Sequence, residues 1–355
     1  MSRWLSPLMA FCLSFMIIAG LAPSLGLQLD RQLDFWLLWM GTMILLALPI
    51  IYLEIALAKR SKTTALNALS RLTRDADASQ RWRLVGWLSV VFTAFLAGGL
   101  LSNIANMTAS YVQLPVQSSV LFVICAVIAV GLSFIARPIL VLLTAIGVIA
   151  SLISSHVLGN QVPAWQMTPI EFKEWGNATI LALVASGLGL GLYWQTNLSV
   201  TAQHDAASKA TLPVWIAQLI AVVAFGYFAV SAQVPAYTIL LSAIFAAALL
   251  LQLAKEQLQQ RQVALLIQFV VLLAGLFVWA IPHITAVLNS VLMLCGLIIC
   301  LIYAIFAGWV MKISHLRKAL NFSGEGFYNL WRIAVRIVLP VSIILAIVSY
   351  LGQLI

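Results

Sequence analysis

The chain has 355 residues, 63% of them apolar and 8% charged, with a formal net charge of +9 and a mean hydropathy of +1.07. Soluble globular domains carry about 25% charged residues, so this composition excludes a water-soluble fold. Long apolar runs with brief polar interruptions point to an all-α membrane protein, because a closed β-barrel would show short alternating segments.

A spanning helix needs about 20 apolar residues. The runs then predict eleven spans, near 5–26, 34–58, 84–112, 115–135, 138–158, 176–196, 212–232, 236–254, 263–281, 287–311 and 329–352, in a single domain covering 1–355. The first run is long, lacks an A-x-A cleavage site and continues a regular topology, so it reads as a mature helix and not a signal peptide. Between the second and third spans, Ala65, Leu66, Leu69 and Leu72 recur at helical spacing, which predicts a short helix lying against the bundle. In the other long connection, 159–175, Trp165 and Trp175 mark the membrane interface.

Of the 19 Lys and Arg residues, 17 fall on the side of the N-terminus, and only Arg31 and Lys173 fall on the other. The positive-inside rule therefore predicts a multi-pass inner-membrane protein with a cytoplasmic N-terminus. Topology accounts for the basic charge, so the partners expected are the lipid bilayer and a small solute, not nucleic acid; a homo-oligomer is compatible with the composition. Cys12, Cys125, Cys295 and Cys300 all sit inside apolar runs and read as packing residues. His156, His204, His283 and His315 lie near helix ends or loops, and no metal site or cofactor is expected from them. With no phosphate loop, zinc helix or nucleophile elbow in the chain, an enzyme is not expected.

Two spans carry interruptions. The first contains Gly20-Leu21-Ala22-Pro23-Ser24-Leu25-Gly26, and the sixth contains Ser186-Gly187-Leu188-Gly189-Leu190-Gly191 before Tyr193-Trp194-Gln195-Thr196-Asn197. Broken helices expose backbone groups near the midplane, where half-helix dipoles and free carbonyls hold ions or charged solute groups. Glycines at such positions also serve close helix packing. The placement in spans one and six is what two inverted five-helix repeats would give.

The stretch Leu48-Pro49-Ile50-Ile51-Tyr52-Leu53-Glu54-Ile55-Ala56-Leu57-Ala58-Lys59-Arg60 resembles the second helix of neurotransmitter:sodium symporters, G-[IL]-P-L-x-x-x-E-x-A-L-G-[QR], with the same proline-to-glutamate spacing. Arg83-Leu84-Val85-Gly86-Trp87-Leu88 looks like the opening of that family's third helix, and the sixth span is similar to its S-x-G-x-G break. Ala307-Gly308-Trp309-Val310, with Leu316 to Asn321, Trp331, Arg336 and Pro340, resembles the tenth and eleventh helices of bacterial members. The resemblance implies a LeuT-type fold: inverted repeats near 5–158 and 176–311, an extra helix at 329–352, and a central site between spans 1, 3, 6 and 8. It also implies transport of an amino acid or amine across a bacterial inner membrane.

Departures from the pattern fall on the sodium sites. Where the family reads G-L-G-N-x-W-R-F-P, this chain places Pro23 at the sodium-binding asparagine and Gly26 at the gate arginine, and the T-S pair of the eighth helix aligns with Leu249 and Leu250. Leucine offers no oxygen to a hard cation. The third-helix tyrosine position aligns with Leu100 or Leu101. Sodium symport, proton-coupled or facilitated transport, and a non-transporting scaffold therefore all stay open. The candidate solute-binding residues are Gly20, Ala22 and Ser24 of span 1, Ser102 and Asn103 of span 3, and Ser186, Gly187, Gly189 and Gly191 of span 6; Asn106, Gln195 and Asn197 are further polar candidates, with Gln218 and Gln252 below them. Glu54 is the one carboxylate well inside an apolar run. It reads either as a functional or structural intramembrane acid or as an interfacial charge beside Lys59 and Arg60.

Overall fold

The computed structural model describes residues 4–25, 32–112, 117–158, 164–193, 207–229, 236–311, 313–322 and 324–354. Among these the chain is helical and has no strand beyond one bridge pair, Gln32 with Gln166. The helices in order are α1 (Leu5–Leu21), α2 (Leu33–Ser61), α3 (Ala65–Asp75), α4 (Trp82–Val112), α5 (Ser118–Leu132), α6 (Arg137–Leu158), α7 (Phe172–Ala185), α8 (Ser208–Val223), α9 (Ala236–Gln260), α10 (Leu265–Ala280), α11 (Thr285–Val310), α12 (Ile313–Leu320) and α13 (Glu325–Leu351). Seven helices are long and apolar enough to cross a membrane, and α1, α5 and α10 are shorter apolar helices.

Two elements end earlier than their apolar runs. The first span is α-helical only to Leu21, and a 3₁₀ turn at Pro23–Leu25 replaces the rest. Pro23 has no N–H to continue the ladder and its ring opposes a helical turn before it. The sixth span starts at Phe172, four residues ahead of the expected boundary, and stops at Ala185, well short of 196. Glu171 and Glu174 form a capping box that fixes the early start.

Apolar burial does not drive helices together in lipid, so close packing and buried hydrogen bonds must hold the bundle. The centre is α4 and α9, with α9 packed along both α4 and α6, and α1 lying along α8. Glycines allow the closest approaches. Gly98 and Gly99 of α4 admit the Trp279 ring, whose Nε1 donates to the Phe95 carbonyl at 3.0 Å, and Gly147 of α6 admits Ser242 of α9.

The short helix expected between spans two and three is α3, and Ala65, Leu66, Leu69 and Leu72 are all buried. Its polar groups are clamped by the end of α9. Asn67 Nδ2 donates to Gln257 Oε1 (2.8 Å) and Gln260 Oε1 (3.0 Å), while Arg261 Nη2 donates to the Gly86 carbonyl (2.8 Å) and stacks on Trp87 (4.6 Å). Two prolines within long helices, Pro49 and Pro340, are absorbed by wide turns. Met43–Ala47 precedes Pro49 and Ala334–Val338 precedes Pro340, each placing a π-type turn where the proline ring would meet the carbonyl four residues back. The carbonyl that Pro340 frees, at Arg336, accepts from Trp309 Nε1 at 3.1 Å, and near the other proline Trp331 Nε1 donates to Pro49 O at 3.2 Å.

A methyl group at Gly98 would sit 2.8 Å from the Leu276 backbone carbonyl and against the Trp279 ring, whereas one at Gly41 meets nothing within 4 Å. Gly98→Ala should therefore cost about 1–3 kcal/mol by overpacking and lower the melting temperature in detergent. Gly41→Ala should leave it unchanged or slightly raised. Equal melting temperatures for the two variants would refute this account of the α4–α10 contact.

Candidate functional site

The interruption after α7 is written into the local sequence. Gly187 N–H donates to Val184 O and Leu188 N–H to Leu183 O, both at 3.0 Å, which is the paired bonding of a Schellman C-cap with Gly187 at its left-handed position (φ +83°). The chain then keeps positive φ at Leu188, Gly189 and Gly191. Only glycine holds such values without penalty, so the spacing of Gly187, Gly189 and Gly191 directly encodes an irregular loop inside the bundle.

The last carbonyl of α7, at Ala185, has no helical donor because the helix stops there. Two hydroxyls supply donors. Ser14 Oγ of α1 donates to it at 2.7 Å, and Tyr193 Oη, returning from the far end of the loop, donates to it as well. The Tyr193 ring folds over Gly187, where a Cβ would lie only 3.0 Å from Cε2. Ser14 is thus a residue that the sequence reading missed. Its signal was a lone serine in the middle of an otherwise apolar buried run, and nothing local tells such a residue from a packing one.

α1 and α7 are adjacent and antiparallel. Ser14 meets Ala185, and eleven residues on, Leu25 O accepts Asn177 Nδ2 at 3.1 Å. The two interruptions nevertheless lie at different depths. The α7 loop sits at the level of Ser14, and the α1 interruption begins eight residues later at Ala22, about 12 Å along the axis. α4 marks the same offset. Leu188 packs where Phe92 of α4 meets Gly296 of α11, while Gly20 packs on Leu100, again eight residues further along α4.

The expected single pocket at paired breaks is corrected accordingly. Gly20, Ala22 and Ser24 lie at the level of Leu100, Ser102 and Asn103, whereas Ser186, Gly187, Gly189 and Gly191 form a second group about 12 Å away. Pro23 and Gly187 each fix their own break through local backbone chemistry, and the lateral register of α1 on α7 then sets the offset.

Several candidates are already engaged. Ser24 Oγ donates to Leu21 O at 2.7 Å and Ser186 Oγ to Leu183 O at 2.8 Å, so both hydroxyls close their own helix ends. Asn103 and Asn289 exchange two amide bonds of 2.9 and 3.0 Å, joining α4 to α11, and Ser102 is buried beside them. Gln252 holds the turn after α5 through Ile135 O (2.8 Å) and Arg137 Nε (3.3 Å). Gln218 of α8 is fully buried, and among the described residues neither of its amide atoms has a hydrogen-bond partner. A buried amide left so is costly and calls for a water or a ligand group. It ranked low in the sequence and ranks high here. Gly26, Gln195, Asn197 and His204 lie outside the described residues.

Glu54 faces the protein interior and is wholly buried, which rules out the interfacial reading. The loop at Gly189 packs on α2 at Ile50 and Leu53, and Glu54 lies within electrostatic range of the Tyr193 phenol and the Cys300 thiol. The acid therefore stands beside the α7 loop, between α2 and α11. Leu249 and Leu250 are fully buried and present no side-chain oxygen. Among the described residues no cluster of three His, Cys, Asp or Glu side chains is suited to a metal ion.

The shared carbonyl gives a double-mutant test. Ser14→Ala and Tyr193→Phe each remove one of two donors to Ala185 O, and each alone should cost about 0.5–1.5 kcal/mol. The double variant leaves the carbonyl bare in a dry site and should lose more than the sum of the singles, measured by thermal unfolding in detergent. Additive losses would mean that the two hydroxyls act independently.

No family model matches this sequence, and no curated protein matches it. Among solved structures, the crystal structure of MhsT in complex with L-phenylalanine superposes with a TM-score of 0.69 over 98% of each chain, at 16% sequence identity. This chain therefore shares the fold of that LeuT-type protein along almost its whole length, and it is a multi-pass helical membrane protein.

Proposed function

We infer that the chain is a secondary transporter of the neurotransmitter:sodium symporter type, moving a small, largely apolar amino acid or amine across a bacterial inner membrane by alternating access. The observation that carries this reading is the glycine-coded loop after α7, packed against the antiparallel α1 at Ser14 and against α2 at Ile50 and Leu53, next to buried Glu54. The likeness to MhsT, solved with L-phenylalanine, supports an amino-acid-like solute. Both described helix ends at the interruptions, Leu21 of α1 and Ala185 of α7, are C-termini, and the negative end of a helix dipole favours an ammonium group. The 17-to-2 division of basic residues supports a cytoplasmic N-terminus.

Coupling is read as altered. Pro23, Leu249 and Leu250 offer no side-chain oxygens at the positions that the family resemblance gives to sodium, and a cation stripped of water without replacement ligands is strongly disfavoured. A non-transporting scaffold is the second reading, favoured by one feature: Leu188 fills the space between Phe92 and Gly296 at the level of the α7 loop.

Uptake of a mixed amino-acid and amine pool into proteoliposomes, with and without a sodium gradient and read by mass spectrometry, separates these readings. The expected result is accumulation of an apolar amine or amino acid that persists without sodium. No uptake under either condition would favour the scaffold. Low millimolar sodium should not raise the melting temperature; a sodium-specific rise would restore a bound ion, since a ligand of the folded state stabilises by mass action.

Glu54 supplies a separate test. A carboxylate beside the loop can accept backbone N–H bonds that lack helical acceptors in lipid. Glu54→Gln should keep most of the fold and shift the pH dependence of uptake, while Glu54→Leu should lose folded protein or activity by leaving donors unpaired. A Glu54→Leu variant that folds and transports like the parent would remove Glu54 from the site.

A further inference from the structure

Arg336 lies midway along α13, a helix whose Ile333, Ile337, Val341 and Ile344 are exposed and face lipid. Its Nε donates to Gly308 O of α11 at 2.6 Å, and its guanidinium covers the Trp309 ring at 5.4 Å, with Trp309 itself 62% exposed. Trp309 Nε1 returns a bond to Arg336 O at 3.1 Å. This reciprocal clasp fixes the guanidinium at the lipid-facing seam between α11 and α13. A methyl at Gly308 would stand 3.2 Å from Arg336 Cγ and 3.4 Å from its Cα, so the two helices are in close contact here.

Arg332 stands one turn before Arg336 on α13 and is partly exposed, so the two cations share one face. Arg332, Arg336 and Arg317 all lie within electrostatic range of the Tyr328 hydroxyl. Tyr328 is eight residues before Arg336, about 12 Å along the helix, so the Arg336 side chain leans toward the N-terminal end of α13, as helical side chains do. Arg317 is neutralised by Glu325 at 2.7 Å. Among the described residues, Arg332 and Arg336 have no carboxylate partner.

Depth decides what can neutralise them. α13 has 27 residues, about 40 Å, against a hydrocarbon core of about 30 Å. The apolar stretch from Ile333 to Leu351 spans about 28 Å and fills the core, so the surplus of just under two turns falls at the start of α13. Tyr328 lies in the headgroup layer, Arg332 at its boundary, and Arg336 reaches back toward it along its stem. Two unneutralised guanidiniums, a neighbouring indole and an apolar wall above them fit one occupant, a lipid with an anionic headgroup and acyl chains. We propose that the Arg332–Arg336 face of α13, with Trp309 of α11, binds the phosphate of an anionic phospholipid in the leaflet that contains the start of α13. Arg336 is oriented by Gly308, and Arg332 completes the contact. The lipid holds α13 against α11 at the seam where both helices carry wide turns, Phe306–Val310 and Ala334–Val338.

The test uses the full-length chain in detergent, titrated with phosphatidylglycerol, phosphatidylcholine or inorganic phosphate while thermal stability is followed. Phosphatidylglycerol should stabilise saturably, and neither of the others should match it. Arg332→Gln should raise the half-saturating phosphatidylglycerol concentration about fivefold, the size of one interfacial cation–lipid contact. Arg71→Gln, which removes an equal charge from the exposed face of α3, should not. Native mass spectrometry should show one fewer retained phosphatidylglycerol for the Arg332→Gln, Arg336→Gln double variant. Equal stabilisation by phosphatidylcholine, a matching effect of inorganic phosphate, or equal weakening by Arg71→Gln would overturn the proposal.

Discussion

Where the backbone of this protein leaves the helix inside the membrane, no water is at hand to take its hydrogen bonds, and the rest of the bundle is arranged around that demand. At the end of α7 the Ala185 carbonyl is met by Ser14 from α1 and by Tyr193 from the returning loop. Ser14 is the point at which α1 meets the end of α7. The loop in turn places Leu188 between Phe92 and Gly296, and Gly189 against Ile50 and Leu53 of α2. One satisfied carbonyl thus ties α1, α2, α4, α7 and α11 to a common point.

The same rule explains the wide turns. Pro49 and Pro340 remove donors and crowd the carbonyls four residues back, so the helices widen just before them, and indole N–H groups take up carbonyls nearby. Tryptophan suits this task because it is large and apolar and carries a single donor. Glycine has the complementary task. It lets Trp279 lie against α4, where a Cβ at Gly98 would stand 2.8 Å from the Leu276 carbonyl, and it brings Arg336 close to α11 at Gly308.

Polar side chains in the bundle divide by what they satisfy. Ser24, Ser186, Asn103, Asn289 and Gln252 are spent on protein partners and stabilise helix ends or helix pairs. Gln218 is buried without a hydrogen-bond partner among the described residues, and Glu54 is a buried acid next to the irregular loop. Among the described residues these two bear polar groups that helix ends and helix pairs do not account for, as do Thr179 and Gln268.

Much of this could be read from the residue order, because its causes are local. Apolar run length determined the all-helical membrane class, the spacing of Ala65, Leu66, Leu69 and Leu72 determined α3, and Gly187, with its neighbours Gly189 and Gly191, determined a break after α7, since left-handed backbone favours glycine. The proline-to-glutamate spacing of α2 located Glu54, but with Lys59 and Arg60 about a turn away its burial was decided by the tertiary structure. Only the tertiary structure decided the 12 Å offset between the two interruptions, the use of Ser14 in place of Gly20 or Ser24 beside the α7 loop, and the pairing of Asn103 with Asn289. Each depends on how far one helix slides along another. That register is set by the sum of side-chain fits along the whole contact, and no single position in the sequence carries it.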